Sequence, residues 1–159
     1  KESVIIKRDA LQNILNTIKA QNNVIAVGTT SMRSLESLYW HGVNVMNQKT
    51  ATGNLQVNQW QAYENSETEN PTIVLQHLLD KMHAENISEI SGETQIIIGP
   101  GYSFKLVNAL VTNFHQPNST LLLLIAALVG SNWKEIYKHA LQNNYRFLSF
   151  GDSSLLWRN

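Results

Sequence analysis

The sequence predicts an α/β fold, a layered sheet with helices packed on it, and three observations carry that reading. The apolar run VIAVG, Val24 to Gly28, ends at a glycine and passes through a hydroxyl-rich turn into a stretch with helical spacing. A second run, TQIIIG, Thr94 to Gly99, stops at GPG in the same way. A nine-residue apolar run, Leu121 to Val129, stands directly behind the polar loop VTNFHQPNST.

Composition sets the frame for these elements. With 159 residues, 43% hydrophobic and 8% aromatic, the chain suits one domain with a real core, spanning residues 1–159. The apolar run is about half of the ~18 to 20 residues a membrane-spanning helix needs, so it predicts a buried core helix and no membrane segment. Lys1 to Ala10 lacks the apolar core of a signal peptide, and the missing initiator Met suggests a fragment. Cysteine is absent, which excludes disulfides and thiolate metal sites and fits a cytoplasmic setting. Twelve Lys and Arg balance twelve Asp and Glu, so a nucleic-acid partner would need a local basic patch.

In chain order, Asp9 to Ala20 places Leu11, Ile14, Leu15 and Ile18 on one helical face, with Asp9 and Gln12 spaced as a capping box. VIAVG suits a buried strand. TTSMRSLESLYWHG follows with Met32, Leu35, Leu38 and Tyr39 as a stripe and Gly42 as a stop. Val43 to Asn70 reads as an irregular excursion in which only NLQVNQW hints at a short edge strand. Asn70 and Pro71 take N-cap and N1 of a helix whose Val74, Leu75, Leu78, Leu79 and Met82 face the core. TQIIIG is the next buried strand, and YSFKLVNALVT extends as a β-prone segment up to Asn113. Ser119 caps the apolar helix. Asn132 with Glu135 repeats the capping-box spacing ahead of Trp133, Ile136, Tyr137, Ala140 and Leu141. YRFLSFGDSSLLW closes the chain, strand-like to Phe150 and broken at Gly151-Asp152.

Four stretches carry residue types suited to chemistry. Gly28-Thr29-Thr30-Ser31 opens a helix, so free N–H groups and three hydroxyls would face an anionic or carboxylate ligand. Arg33, Glu36 and Trp40 share a face off the apolar stripe, where Arg33 can fork a carboxylate or phosphate; helix capping plus an Arg33–Glu36 surface pair explains the same residues equally well. GPGYSFK offers close backbone approach, with Tyr102 for stacking or hydrogen bonding and Lys105 nearby, or is a plain tight turn. His115, after Asn113 and Phe114, occupies a strand-to-helix loop, the place where open α/β sheets seat ligands, and an imidazole suits proton transfer; a surface histidine is the commoner reading of the residue type alone. Asp152 caps a turn or serves as a general base or polar acceptor, with Tyr145 and Arg146 just upstream. The other histidines, His41, His77, His83 and His139, lack partners at metal-ligand spacing, so no metal is expected. Lys134, Lys138 and His139 form a helical face read as solvated surface.

Taken in order and spacing, VIAVGTTSMRSLES, GETQIIIGPGYSFKLVNALVTNFHQPNSTLLLLIAALVG and YKHALQNNYRFLSFGDSSLL closely resemble the C-terminal half of the S-adenosylmethionine:tRNA ribosyltransferase-isomerase family of queuosine biosynthesis. The resemblance covers most of Val24 to Leu156 and is weakest across Val43 to Ser91. It implies the C-terminal α/β portion of a larger two-domain protein, in which a β-barrel domain is inserted into an α/β domain upstream. It also implies transfer of the ribosyl part of S-adenosylmethionine to a 7-aminomethyl-7-deazaguanine base in the tRNA anticodon, with isomerisation to an epoxy-cyclopentanediol. Adenine and methionine leave, and S-adenosylmethionine is the donor substrate, with no further cofactor.

On that resemblance His115 and Asp152 are the acid-base candidates. Thr29, Thr30, Ser31 and Arg33, with Glu36 on the same helix, are candidates for the methionine carboxylate or a tRNA phosphate. Tyr102, Lys105 and Arg146 are candidates for base or backbone contacts, with Asn113 and Ser119 flanking the histidine loop. The chain departs from the family pattern at Asn108, where Asp is typical, at Gln116 for Leu, at Asn118 for a basic residue, and in FGDSS for a YGDAM-type ending. A divergent or non-catalytic nucleotide- or tRNA-binding module on the same scaffold is the alternative, and a structural domain in which each motif is capping and turn chemistry is a third.

Overall fold

The computed structural model describes residues 1–64, 69–116 and 119–159. Two mixed three-stranded sheets carry helices against them, an α/β architecture. In the first sheet β1 (Glu2–Lys7) runs antiparallel to β4 (Glu89–Thr94), which pairs parallel with β3 (Asn54–Val57), in the order β1-β4-β3. Val4, Leu55, Val57 and Ile90 turn inward, while Ile5 faces solvent, as the period of two requires.

In the second sheet β2 (Ile25–Val27) runs parallel to β5 (Ala109–Asn113), and β6 (Ser153–Trp157) closes it antiparallel to β5. Register places Val27 beside Val111 and Val111 beside Leu155. Ala26, Leu110 and Leu156 form the inner row, buried against the helices. Ile25, Val27, Leu155 and Trp157 lie on the other face and are exposed.

The helices are α1 (Arg8–Lys19), α2 (Thr29–Met46), the single turn α3 (Gln61–Glu64), α4 (Pro71–Ala84), α5 (Thr120–Val129) and α6 (Trp133–Gln142). The core is built where they meet: Leu11 and Leu15 of α1, Met32, Leu38, Tyr39 and Trp40 of α2, and Val74, Leu75, Leu78 and Met82 of α4. Each such side chain withdrawn from water contributes roughly 1.5–3 kcal/mol. Asn70 caps α4, its side-chain oxygen accepting from the Thr72 amide at 2.8 Å with Pro71 behind it, as the sequence predicts. Ser119 caps α5 through the Leu122 amide, and Leu124, Ile125, Leu128 and Val129 bury its apolar face.

Several expectations are corrected. Gly42 does not stop α2, which continues to Met46; a Cβ there would lie 2.5 Å from Cγ1 of Val74, so glycine lets α4 approach. The first sheet uses EISGET, with Ile96 and Ile98 of the predicted strand buried beyond its end. Residues 102–108 form a loop, and β5 begins at Ala109. The last strand follows the Gly151-Asp152 break instead of preceding it. VIAVG is buried on one face only. Neither capping box forms: Lys7 passes directly from β1 into α1, and Asn132 makes no side-chain cap. Leu141 points to solvent. The excursion from Val43 to Asn70 contains the end of α2, β3 as an edge strand and α3, with residues 65–68 outside the described set. The strand β1, rich in the β-branched Val4, Ile5 and Ile6, adds to the predicted elements.

Candidate functional site

Two parallel strands deliver their ends to the same edge. β2 leaves Val27 into Gly28, which stands at the N-cap of α2 with φ +88° and offers no side chain. Its amide donates to the Val111 carbonyl at 2.8 Å, fixing the turn to β5. Thr29, Thr30 and Ser31 therefore lie at the helix N-terminus, with Thr30 and Ser31 exposed. β5 leaves Asn113 into Phe114 and His115. β6 starts beside it, with Ser153 paired to Asn113, so Asp152 and the loop before it arrive at this edge too. The strand ends thus bring the N-terminus of α2, Asn113, His115 and the Arg146–Asp152 loop to one end of the second sheet, while Thr30 and Ser31 line a groove with Ile5, Ile6, Lys7, Ala10 and Ile14.

The histidine is held from several sides. Its Nε2 lies 3.0 Å from the hydroxyl of Thr112, itself almost buried. Its backbone amide donates to the Tyr137 hydroxyl of α6 at 3.1 Å, and the Phe114 carbonyl accepts from the Leu148 amide at 2.9 Å. Phe114 is the hub of an aromatic cluster, 5.5 Å from the rings of Tyr137 and Phe147 and 5.7 Å from Tyr145. Partial burial lowers the His115 pKa below its ordinary 6.5, so the ring is neutral at pH 7. Thr112, Phe114 and Tyr137 are the residues that sequence reasoning missed. The alternation Thr112, Phe114 in a strand leading to His115 was the available signal.

Asp152 closes the 146–152 loop. Its Oδ2 accepts from the Arg146 amide at 2.7 Å, its Oδ1 from the Arg146 guanidinium at 3.2 Å, and its own amide returns to the Arg146 carbonyl at 2.9 Å. The Arg146 amide, and then its guanidinium, hold the carboxyl below the usual range. Asp152 is therefore a carboxylate at neutral pH, able to accept a proton or a hydrogen bond but not to donate one. The Asn113 amide group ties this loop to β5, donating to the Gly151 carbonyl at 3.3 Å and the Asp152 carbonyl at 3.4 Å.

The remaining expected residues lie elsewhere. Glu36 is not a surface partner of Arg33: it is fully buried and accepts from the Tyr102 hydroxyl at 2.7 Å and from the amides of Lys105, Leu106 and Val107 at 2.9–3.0 Å. Those donors occupy it, so it has no capacity for substrate. Tyr102 is enclosed as well, its hydroxyl also accepting from Trp40 Nε1 at 3.0 Å, which removes the ring from base stacking. Lys105 lies 5.8 Å from the ring centroids of Tyr39 and Trp40. This group stands before β5, at the end of the sheet opposite His115. Arg33 bridges Glu2 at 2.7 Å and the Ile96 carbonyl at 2.9 Å, lining a groove of about 240 Å³ with Gln59, Gln95, Thr120 and Leu121. Ser119 serves as the α5 cap.

Among the family departures, Asn108 accepts from the Val24 amide at 2.9 Å, far from the histidine edge, so an amide there does structural work. Asn118 lies outside the described residues. Among the described residues no group of three or more His, Cys, Asp or Glu could hold a metal ion, and no helix is long and apolar enough to cross a membrane.

Comparison with known proteins adds a second line. The S-adenosylmethionine:tRNA ribosyltransferase-isomerase of Polynucleobacter asymbioticus is 36% identical over 154 residues, 96% of this chain and 31% of that protein. The protein of the same name from Magnetococcus marinus is 37% identical over the same shares. The crystal structure of S-adenosylmethionine tRNA ribosyltransferase from Thermotoga maritima superposes with a TM-score of 0.62 at 31% identity, covering 98% of this chain and 40% of that one. The chain thus spans about a third of the length of the curated relatives it matches. The sequence model of the family described as "Queuosine biosynthesis protein" matches residues 1–156, and the chain belongs to that family.

Proposed function

We propose that this chain contributes the His115 edge to an enzyme that transfers and isomerises the ribosyl moiety of S-adenosylmethionine onto 7-aminomethyl-7-deazaguanine in tRNA. The observation that carries the reading is a neutral imidazole, fixed by Thr112 and Tyr137, at an edge shared with a helix N-terminus and a carboxylate. The names of the relatives supply S-adenosylmethionine and tRNA, and the 7-deazaguanine base is what the family resemblance implies.

In this reading His115 removes the proton from the carbon beside the sulfonium, since a neutral imidazole is a competent base near pH 7. The imidazolium so formed is the proton donor within reach as adenine departs, because Asp152 is already ionised. Asp152 and the Asn113 side-chain oxygen then serve as polar acceptors for the sugar hydroxyls or the attacking amine. The N-terminus of α2, with Thr29, Thr30 and Ser31, suits the methionine carboxylate, and Arg146 suits an RNA phosphate. Members of this family are longer than the chain, so groups from outside it complete the site.

The test is adenine release from S-adenosylmethionine by the full-length enzyme carrying this chain, with and without tRNA bearing the modified base. Release that depends on the modified tRNA supports the transfer. Binding of S-adenosylmethionine with no release in either case turns the reading to a non-catalytic module.

A further inference from the structure

The 146–152 loop holds an aromatic side chain that the described residues leave uncovered. Arg146 and Asp152 close the loop by exchanging backbone and side-chain hydrogen bonds at 2.7–3.2 Å. Gly151 packs so tightly on the Arg146 carbonyl that a Cβ would collide with it. Leu148 sits at φ +68°, a conformation costly for a leucine, with its amide bound to Phe114. The two phenylalanines of the loop then diverge. Phe147 packs into the aromatic cluster under His115, whereas Phe150 is 97% exposed. In the same loop the Arg146 side chain is 74% exposed, with one guanidinium nitrogen on Asp152, and the loop is tied through Asn113 to the strand that ends at His115.

We propose that this loop is a nucleobase-stacking element: Phe150 presents its ring to a planar base of the substrate while the Arg146 guanidinium meets the adjacent negative charge. A rigidly closed loop displays the ring at little further ordering cost on binding, and an exposed aromatic with an exposed arginine on the same short loop offers the stacking face and the positive charge that hold unstacked bases. The inference rests on the ribosyl-transfer reading for its substrates, and two bases qualify, the adenine of S-adenosylmethionine and a base of the tRNA anticodon.

The experiment compares Phe150→Leu and Phe150→Trp with wild type in the full-length enzyme. It measures KM and kcat for adenine release against each substrate. It also measures direct binding of S-adenosylmethionine and of an anticodon stem-loop RNA carrying 7-aminomethyl-7-deazaguanine. Phe150→Leu should weaken one ligand by on the order of tenfold, with Phe150→Trp near wild type. A loss confined to the RNA arm assigns the tRNA base, and one confined to S-adenosylmethionine assigns adenine. Leucine matching wild type in both arms overturns the proposal, as does leucine preserving binding where tryptophan abolishes it, the pattern of a packing contact. A wild-type enzyme that releases no adenine sinks the ribosyl-transfer reading alone, since the binding arms still decide the stacking; wild type binding neither probe overturns the stacking too.

Discussion

Replacing Glu36 by Gln tests a fully buried carboxyl group that accepts from four donors. Glu36 Oε1 accepts from the amides of Leu106 and Val107, and Oε2 from the amide of Lys105 and the hydroxyl of Tyr102. Burial pushes the carboxyl pKa up, and the donors around it, the Lys105 amide first, pull it down. The geometry favours the ion, because every neighbour directs a proton at it. In the glutamine variant the amide oxygen can keep Leu106 and Val107, but the amide nitrogen then faces the Lys105 N–H. Tyr102 can reverse its role and accept; Lys105 cannot. One buried N–H is left unsatisfied, about 1–3 kcal/mol, and a charge-assisted bond from Tyr102 becomes a neutral one, together roughly 2–4 kcal/mol. Glu36→Ala, which strands all four donors, should cost more, near the ~3–5 kcal/mol typical of breaking a buried charged pair. Urea unfolding gives the loss, and hydrogen exchange at residues 105–107 locates it. A glutamine variant within about 0.5 kcal/mol of wild type, the range of an inconsequential substitution, would refute the ionised clamp and mean that Glu36 is protonated in the fold.

Three further outcomes are expected. Gly42→Ala should destabilise by about 1–2 kcal/mol, since overpacking against Val74 outweighs the better helix propensity of alanine; a thermal melt showing stabilisation contradicts the close helix contact. His41 is fully buried, with Nε2 2.9 Å from the Thr52 carbonyl, and burial lowers its pKa below 6.5. Above that value both folded and unfolded chains leave it neutral. As pH falls through it the unfolded chain takes a proton that the fold refuses, so stability should drop by up to ~1.4 kcal/mol per pH unit. Denaturant midpoints between pH 7.5 and about 5 should fall more steeply for wild type than for His41→Gln, and parallel curves would remove His41 as the cause. His115→Ala should lower adenine release about 10²–10⁴-fold in the full-length enzyme with unfolding unchanged, and an active variant excludes the histidine as base.

The helices were legible in the sequence because their periodicity is local. The stripes of α1 and α4 and the Asn70 and Ser119 caps fall where spacing puts them. The strands were less so. Ile96, Ile97 and Ile98 look more strand-like than EISGET, yet the ladder to β1 runs through Glu89–Thr94, where cross-strand pairing, not apolarity, defines the element. Site residues divide the same way. His115 and Asp152 come to one edge because strand direction is set by topology that the α/β grammar anticipates. Glu36 was misread because its partners lie 66–71 residues away along the chain, beyond any motif window.

The pairing of β1 with β4 also sets an order of assembly. Glu2 meets Thr94 and Lys7 meets Glu89, so β1 has no partner on β4 until synthesis has passed Thr94. β6, at the other end, completes the second sheet only when Ser153–Trp157 emerges. Closing such long loops is slow, and the first sheet and its helices are complete in sequence before the second sheet can close. The edge with His115 and Asp152 needs β6, so a nascent chain cannot present the assembled edge before Ser153–Trp157 is in place.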